Sequence, residues 1–320
     1  MKVADLELRP ATLDDAALYA DMYTQTHPDD PEDPRLMRHW WSTQDPEDTA
    51  VRYVAMLDAK PAGYAFWSHP SWKKMPERFV RLNADLHPDY RESKRMDALY
   101  AMLEPAAKAD GALKATAWTW EYDAFRTGAL TARGYKEERR ERFWELDLAL
   151  GKERITKMAA ESRERMKREG IRVLTLAEDT DPEKMRKLKR MSDEAEQDVP
   201  TTVPHVASEY AEWIKWFDSP GLRPDRIWLA REGDDIVGIS MLSYPPVRGV
   251  VSTDWTGTAR KVRGRGVARA LKCETLMQAI ALGTDRVRTD NDSANTPILH
   301  INETMGYKRR PDMIQLLKDL

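Results

Sequence analysis

The sequence predicts an α/β protein built from two tandem copies of one domain, each a mixed sheet flanked by helices. Two observations indicate this architecture. The chain has 320 residues, which suits two domains of ordinary size, and its 41% hydrophobic residues can build a core in each half. In addition, sequence landmarks of the first half recur in the second half, in the same order and at nearly the same offset.

Four such landmarks support an internal duplication. They are a glycine in the second strand of a hairpin (Gly63 and Gly238, 175 apart), an arginine before a long helix (Arg91 and Arg263, 172 apart), a Gly-Tyr pair ending at Tyr135 and Tyr307 (172 apart), and an opening strand, acidic turn and helix about 168 apart. Because chance rarely preserves both order and offset, we interpret them as one fold repeated.

The elements are clearest in the second copy, and each follows from a local pattern. A strand at 172–176 precedes a helix with Pro182 in its first turn, and a hairpin turns around 233–235. Then come a strand ending in WTGTA, a long helix from Gly266 to about Leu282, the strand DRVRTD, and the short helix TPILHINETM. Asn295 is the expected N-cap of that last helix and Gly306 its stop.

The junction between the copies is charged, rich in helix formers and ends at Gly170. We therefore predict one domain over 1–150, a connecting helix over 151–169 and a second domain over 170–320. The charges of the connecting segment indicate a solvated helix face.

Composition excludes several functional classes. A net charge of -3 and an isoelectric point near 6.1 disfavour a general nucleic-acid binder. No apolar run approaches the ~20 residues of a membrane span. The N-terminus has no apolar signal region, and a single cysteine suits a reducing compartment, so we expect a cytoplasmic protein. No metal-binding signature occurs, and the oligomeric state stays open.

The stretch KVRGRGVARALKCETLMQAIAL, which begins at Lys261, indicates an anion site. Its glycines let the backbone approach a ligand, and the helix start behind them presents unpaired N–H groups and a positive dipole end. A phosphate or pyrophosphate fits such a turn. A P-loop signature is absent, and a dinucleotide fingerprint fails because its third glycine is Arg269. In the helix itself, Ala270, Cys273, Met277 and Ile280 share a face that we expect to be core.

These residues resemble a known superfamily. The run Arg263-Gly264-Arg265-Gly266-Val267-Ala268 resembles the [QR]-x-x-G-x-[GA] motif of the GNAT N-acetyltransferases, and Asn295 followed by Gly306-Tyr307 resembles their N…GF/GY segment. The resemblance covers the second copy and, more faintly, the first. It implies two GNAT-like domains, each a mostly antiparallel sheet whose central strands splay apart.

The resemblance also implies acetyl-CoA as the cofactor, bound by the second copy. The implied cofactor-binding residues are Thr256, Thr258, Val262, Arg263, Gly264, Arg265, Gly266, Val267, Ala268, Arg269, Asn291 and Asn295. For the two asparagines, a turn or cap role remains an alternative.

The first copy departs from the motif. Its equivalent turn, Arg91 to Met96, has no glycine: Glu92 would place a carboxylate where the phosphate belongs, and Lys94 and Met96 would crowd the backbone. Asp123 stands in place of the asparagine. We therefore expect the first copy to be a degenerate domain without cofactor, in a mycothiol-synthase-like tandem arrangement where one half catalyses.

The implied reaction is attack of an amine on an acetyl thioester, which needs a general base. Asp254 is the candidate base because a carboxylate within a strand indicates a cleft, although an ion-paired edge aspartate is an equal alternative. Asn302 stands where many family members have a tyrosine acid. His205 and Glu209, taken as one helical turn apart, and Trp255 are candidate substrate contacts.

Two functions follow. The first is a cytoplasmic acetyl-CoA-dependent N-acetyltransferase whose small-molecule primary amine binds between the copies, with no nucleic-acid or membrane partner. The alternative is a non-catalytic acyl-CoA-binding sensor or interaction module, which the missing tyrosine favours. A protein or peptide acceptor is a variant of the first function.

Overall fold

The computed structural model describes all residues from Met1 to Leu320. Its strands form one continuous sheet of 14 strands, mostly antiparallel, with helices on both faces. The bounds of the strands and helices follow in two groups, one for each half of the chain.

The elements of the first half are β1 (Lys2–Val3), β2 (Leu6–Pro10), α1 (Ala16–Thr26), α2 (Pro34–Ser42), β3 (Thr49–Leu57), β4 (Lys60–His69), β5 (Phe79–Leu86), α3 (Ser93–Ala109), β6 (Lys114–Trp120), α4 (Ala124–Ala132) and β7 (Lys136–Asp147).

The elements of the second half are α5 (Leu148–Arg168), β8 (Ile171–Thr175), α6 (Lys184–Glu196), α7 (Tyr210–Trp213), β9 (Ile227–Glu232), β10 (Asp235–Ser243), β11 (Ser252–Thr258), α8 (Val267–Ala281), β12 (Arg286–Asp292), α9 (Thr296–Met305), β13 (Lys308–Arg309) and β14 (Met313–Asp319).

The strand order across the sheet is β1-β2-β3-β4-β5-β6-β14-β7-β12-β11-β10-β9-β8, with β13 also on β7. The last strand of each half therefore lies in the sheet of the other half. Strand β7 pairs with β12 and with β14, whereas β14 pairs with β6 and with β7, antiparallel in every case. The predicted boundary near residue 150 divides the chain, but this exchange joins the two halves in one sheet.

Side-chain alternation puts different helices on the two faces of the sheet. In the first half, Tyr64 packs with α1, while the neighbouring Ala65 belongs to the core beneath α3. In the second half, a Cβ at Gly238 would meet Leu271 and Val267 of α8, so that face carries α8. The opposite face carries α1 and α2 in the first half and α6 in the second.

The predicted elements of the second copy are present with shifted ends. The last helix spans Thr296–Met305 as predicted, and Gly306 ends it at φ 93°. Helix α8 begins at Val267. One expectation is wrong: residues 199–209 form a loop, so His205 and Glu209 do not share a helical turn, and helix α7 begins only at Tyr210.

Candidate functional site

The arginine–glycine turn lies between strand β11 and helix α8, with both glycines in the left-handed region. Gly264 has φ 76° and Gly266, the N-cap of α8, has φ 86°. A Cβ at Gly264 would meet nothing within 4 Å, so the backbone there is open to a ligand. The amides of Gly264, Gly266, Val267, Ala268 and Arg269 have no acceptor within the chain. Five free amides beside a helix N-terminus suit a pyrophosphate.

The other amides of the turn are already used, so the set of free donors is smaller than predicted. Val262 donates to the carbonyl of Ala259 at 3.1 Å and has a buried side chain. The amides of Arg263 and Arg265 donate to Arg260 and Val262. Val262 therefore shapes the turn from within the core.

The arginine side chains of the turn form ion pairs. Arg263 lies 2.6 Å from Asp198, and Arg265 lies 2.8 Å from Glu169 and 2.7 Å from Glu232. These pairs are partly exposed, so each holds the turn only weakly. The backbone amides are thus the ready donors, and the guanidinium groups would have to leave carboxylates to reach an anion.

Strands β11 and β12 separate next to this turn. They run parallel and pair only at Ser252 and Arg288, where the amide of Arg288 also donates to Val251. Beyond this point the inner edges of both strands have no strand partner. The expected splay between the central strands is therefore present, and it opens toward the free amides.

Asp254 lies on β11 at an irregularity in the strand pairing. The register with β10 passes from Trp255 to Thr253, which leaves Asp254 without a partner residue. Such a bulge redirects side chains. Its carboxylate accepts a hydrogen bond from the indole N–H of Trp216 at 2.9 Å and has no ion pair. Burial raises the pKa of Asp254 to about 6.

Asp290 is a second carboxylate at the gap, on β12, and no local sequence pattern marks it. The side chain of Asp290 is exposed to solvent, but protein atoms surround it on most sides. This combination is typical of a group at the bottom of a cleft. Burial, with the neighbouring carboxylates of Glu141 and Asp30, raises the pKa of Asp290 to about 7. Two groups that titrate near neutrality thus lie on the two strands that flank the gap.

The three asparagines have distinct environments. Asn302 is fully buried, donates from Nδ2 to Oδ1 of Asn291 at 2.7 Å, and leaves its own Oδ1 without a partner. Asn295 occupies the N-cap position of α9 without a capping hydrogen bond from its side chain. Its side chain is therefore free for another partner. An unsatisfied buried oxygen on Asn302 is costly, which is typical of a functional site.

Lys272 lies beneath the gap and was also missed. Its side chain is only 2% exposed, with Nζ 3.5 Å from Oγ1 of Thr253 and 5.4 Å from the ring centre of Tyr307. Burial lowers the pKa of Lys272 to about 8. The sequence signal was weak because α8 is covered by α5 as well as by the sheet, so more than its predicted stripe is buried.

The remaining residues predicted on β11 divide between the two faces. Thr256 places its hydroxyl 2.8 Å from that of Ser240, and Thr258 pairs with Gly238, so both side chains lie on the α8 side. Only their backbone can face the gap. Trp255 lies on the opposite side, where its indole N–H is buried without a partner.

A cavity of about 800 Å³ lies on that opposite side, between the two halves. Its wall includes Trp118 from the first half and Trp216, the hydrogen-bond donor to Asp254, from the second. An adjoining cavity of about 470 Å³ reaches Trp255 and His205. Nε2 of His205 lies 3.0 Å from a carboxylate oxygen of Glu196, whereas Glu209 is exposed and lines neither cavity.

The corresponding gap in the first half is filled by side chains. Strands β5 and β6 pair over three residues and then separate. Across the opening, Arg91 contacts Asp123 at 2.7 Å and Asp85 at 3.0 Å, while Arg126 lies 3.5 Å from Asp85. His27 adds a contact to Asp85 at 3.2 Å. His27, Asp85 and Asp123 together have the atoms of a metal site, but the two arginines beside them oppose a cation.

The comparisons agree with this architecture. Residues 188–307 match the profile of the acetyltransferase (GNAT) family. No curated protein sequence matches the chain.

Two solved structures match over nearly the whole chain. A tandem GNAT protein from the clavulanic acid biosynthesis pathway is 16% identical, with a TM-score of 0.73 and 98% of each chain covered. A GCN5-related N-acetyltransferase from Sphaerobacter thermophilus is 18% identical, with a TM-score of 0.69, 100% of this chain covered and 97% of the other. These identities show the shared fold.

The chain is therefore a protein of tandem GNAT fold. Its second half carries the sequence profile of the GNAT acetyltransferases, whose fold serves acetyl transfer from acyl-CoA. No helix of the structure is both long and apolar enough to span a membrane.

Proposed function

We propose that this protein is an acetyl-CoA-dependent N-acetyltransferase that acetylates the primary amine of a small molecule by direct transfer. The observation that carries this proposal is the set of five free amides from Gly264 to Arg269, placed next to the gap between β11 and β12. The amides would hold the diphosphate of the cofactor, and the unpaired strand edges would accept its amide-containing arm.

Acetyl-CoA would supply an acetyl group activated as a thioester. The acceptor amine would lie in the cavity between the halves and reach the gap beside Trp216. An ammonium group must lose a proton before it can attack, and Asp254, with a pKa of about 6, can accept one near neutral pH. Asp290, with a pKa of about 7, is a second acceptor on the facing strand.

The roles of the asparagines follow from their contacts. The hydrogen bond from Asn302 to Asn291 would orient both side chains at the gap, and Asn295 would offer its free side chain to the cofactor. Asn302 cannot donate a proton as a tyrosine would. We propose that water protonates the leaving group, since a general acid contributes only about 100-fold at the low end.

We propose that residues 1–150 form a domain that binds no cofactor and that residues 170–320 form the domain that binds acetyl-CoA. Residues 151–169 would be the helix that connects the two domains. The ion-paired residues that fill the first gap support this division, because an acyl-CoA would have to displace Arg91 from two carboxylates. The buried, unpaired Cys273 supports a cytoplasmic location.

The test compares two glycine variants at opposite ends of helix α8. Gly266→Glu places a carboxylate among the free amides, whereas Gly283→Glu creates the same charge and a similar backbone strain (φ 77°) at the far end, where a Cβ meets nothing. Calorimetry should show coenzyme A binding by the wild type and by Gly283→Glu but not by Gly266→Glu. Equal binding by all three proteins would reject the assignment of the turn.

Acetylation of an amine panel, followed by mass spectrometry, separates the enzyme from the alternative. Transfer that fails for every amine, despite tight binding of coenzyme A, would favour a non-catalytic acyl-CoA-binding sensor. The buried Asn302 in place of a tyrosine is the observation behind this alternative.

A further inference from the structure

The cavity between the halves has an unusual distribution of charge. Five cationic side chains line it, and three of them are ion-paired: Lys74 with Asp45, Arg139 with Glu141, and Lys215 with Glu212. Arg52 and Arg81 have no carboxylate within 4 Å.

Arg81 lies on β5 and has neither a hydrogen bond nor an ion pair from its guanidinium group. The guanidinium carbon (Cζ) of Arg81 lies 5.6 Å from the ring centre of Phe66. The side chain keeps accessible surface although protein surrounds it, so it projects into the cavity. Burial lowers the pKa of Arg81, and the carboxylate of Glu141 partly opposes that shift from a distance. The guanidinium N–H donors of Arg81 are therefore available to an anionic ligand.

Arg52 lies two strands away on the same face. It donates to the side-chain oxygen of Gln44 at 2.9 Å and lies 4.5 Å from the ring centre of Trp41. Burial lowers the pKa of Arg52 as well. The register places Arg52 opposite Phe66, the ring below Arg81, so both guanidinium groups border one patch of the wall.

We propose that Arg81, assisted by Arg52, binds an anionic group of the acceptor, so that the substrate is an amine that also carries a carboxylate or a phosphate. Guanidinium groups bind both anions through paired N–H donors. This inference rests on the proposed function, and it narrows the acceptor to an elongated molecule with an amine at the β11–β12 gap and an anion on β5.

The test uses ω-amino carboxylates of increasing length, from γ-aminobutyrate to ω-aminooctanoate, each against the alkylamine of equal length. Aminohexyl phosphate distinguishes phosphate from carboxylate. Calorimetry on the full chain should show that one member of the series, or the phosphate, binds about tenfold to a hundredfold better than its alkylamine.

The variant Arg81→Leu should lose that preference, while Arg168→Leu, at the exposed end of α5, should keep it. A partly retained preference in Arg81→Lys would show that charge and fork geometry both contribute. Because Arg81 forms no ion pair, its replacement by leucine should leave the melting temperature unchanged or higher. A lower melting temperature with an unchanged anion preference would indicate a structural role and overturn the proposal.

Binding of coenzyme A, measured on the same proteins, separates the two levels of inference. If coenzyme A binds but no anionic probe binds better than its alkylamine, the anion subsite is wrong and the acetyltransferase proposal stands. If coenzyme A does not bind, the proposed function fails, and the probe titrations still decide the anion subsite.

Discussion

Replacement of the buried Lys272 by methionine should stabilise the protein at neutral pH. The side chain is 2% exposed and has one long hydrogen bond, so the folded state resists its protonation and the pKa of Lys272 is lowered from 10.5 to about 8. One pKa unit corresponds to about 1.4 kcal/mol, so the ammonium form costs about 3 kcal/mol at pH 7. Methionine has a similar length and carries no charge.

The pH dependence gives this prediction its sign. The pKa of Lys272 is lower in the folded state than in the unfolded state, so between about pH 8 and 10.5 the unfolded chain binds more protons. The stability of the wild type therefore rises with pH across that window relative to the variant. Lys272→Met should be the more stable protein by about 3 kcal/mol at pH 7, and the difference should close near pH 10.5.

Urea unfolding, followed by tryptophan fluorescence at several pH values, measures this difference. The matched control is Lys157→Met on helix α5, because Lys157 is exposed and forms no hydrogen bond or ion pair through its side chain. Its difference from the wild type should be small and constant with pH. If Lys272→Met is less stable than the wild type at pH 7, or if its advantage does not change with pH, the reasoning is refuted.

Three further predictions concern residues elsewhere in the chain. In Asp254→Asn, the free energy of unfolding at pH 7 should exceed that of the wild type by up to about 3 kcal/mol, because the pKa of Asp254 is raised to about 6. Near pH 4 the two proteins should be equally stable. The rate of acetyl transfer should rise through pH 6 in the wild type but not in the variant. In Arg91→Met, the carboxylates of Asp85 and Asp123 lose a partly buried partner, although Asp85 keeps its contact with Arg126. Urea unfolding should show a loss of about 1.5–3 kcal/mol, and calorimetry should show no second equivalent of coenzyme A bound. In Gly306→Ala, the left-handed φ of 93° and the contact with Arg154 should lower the free energy of unfolding by about 1 kcal/mol or more. The control is Gly134→Ala, which has a similar φ of 90° but open space around the new Cβ, so its loss of stability measures the backbone strain without a contact.

The sequence predicted the tandem fold well because its landmarks are local. Hairpin glycines, helix caps and the turn before α8 depend on a few adjacent residues, and the offset between copies is visible without structure. The turn itself could be located for the same reason. Its free amides could only be counted in the structure, where Val262 proves to be engaged with Ala259.

What the sequence could not predict depends on long-range packing. Asp290 and Lys272 gain their perturbed pKa values from elements distant in the chain, so no local pattern marks them. The pair of His205 and Glu209 shows the opposite error. A spacing of four residues suggested a helix, but Pro200 and Pro204 lie in this segment and the chain forms a loop.

The exchange of β7 and β14 has a consequence for how such a chain can change over time. Each half supplies a strand that covers an edge of the other half's sheet: β7 pairs with β12, and β14 pairs with β6. If the N-terminal half binds no cofactor, as proposed, its deletion would still remove β7, which pairs with β12 and β14 of the C-terminal half. A half without its own ligand would then be retained for the strand that it supplies, and its surface would be free to evolve as the wall of a pocket.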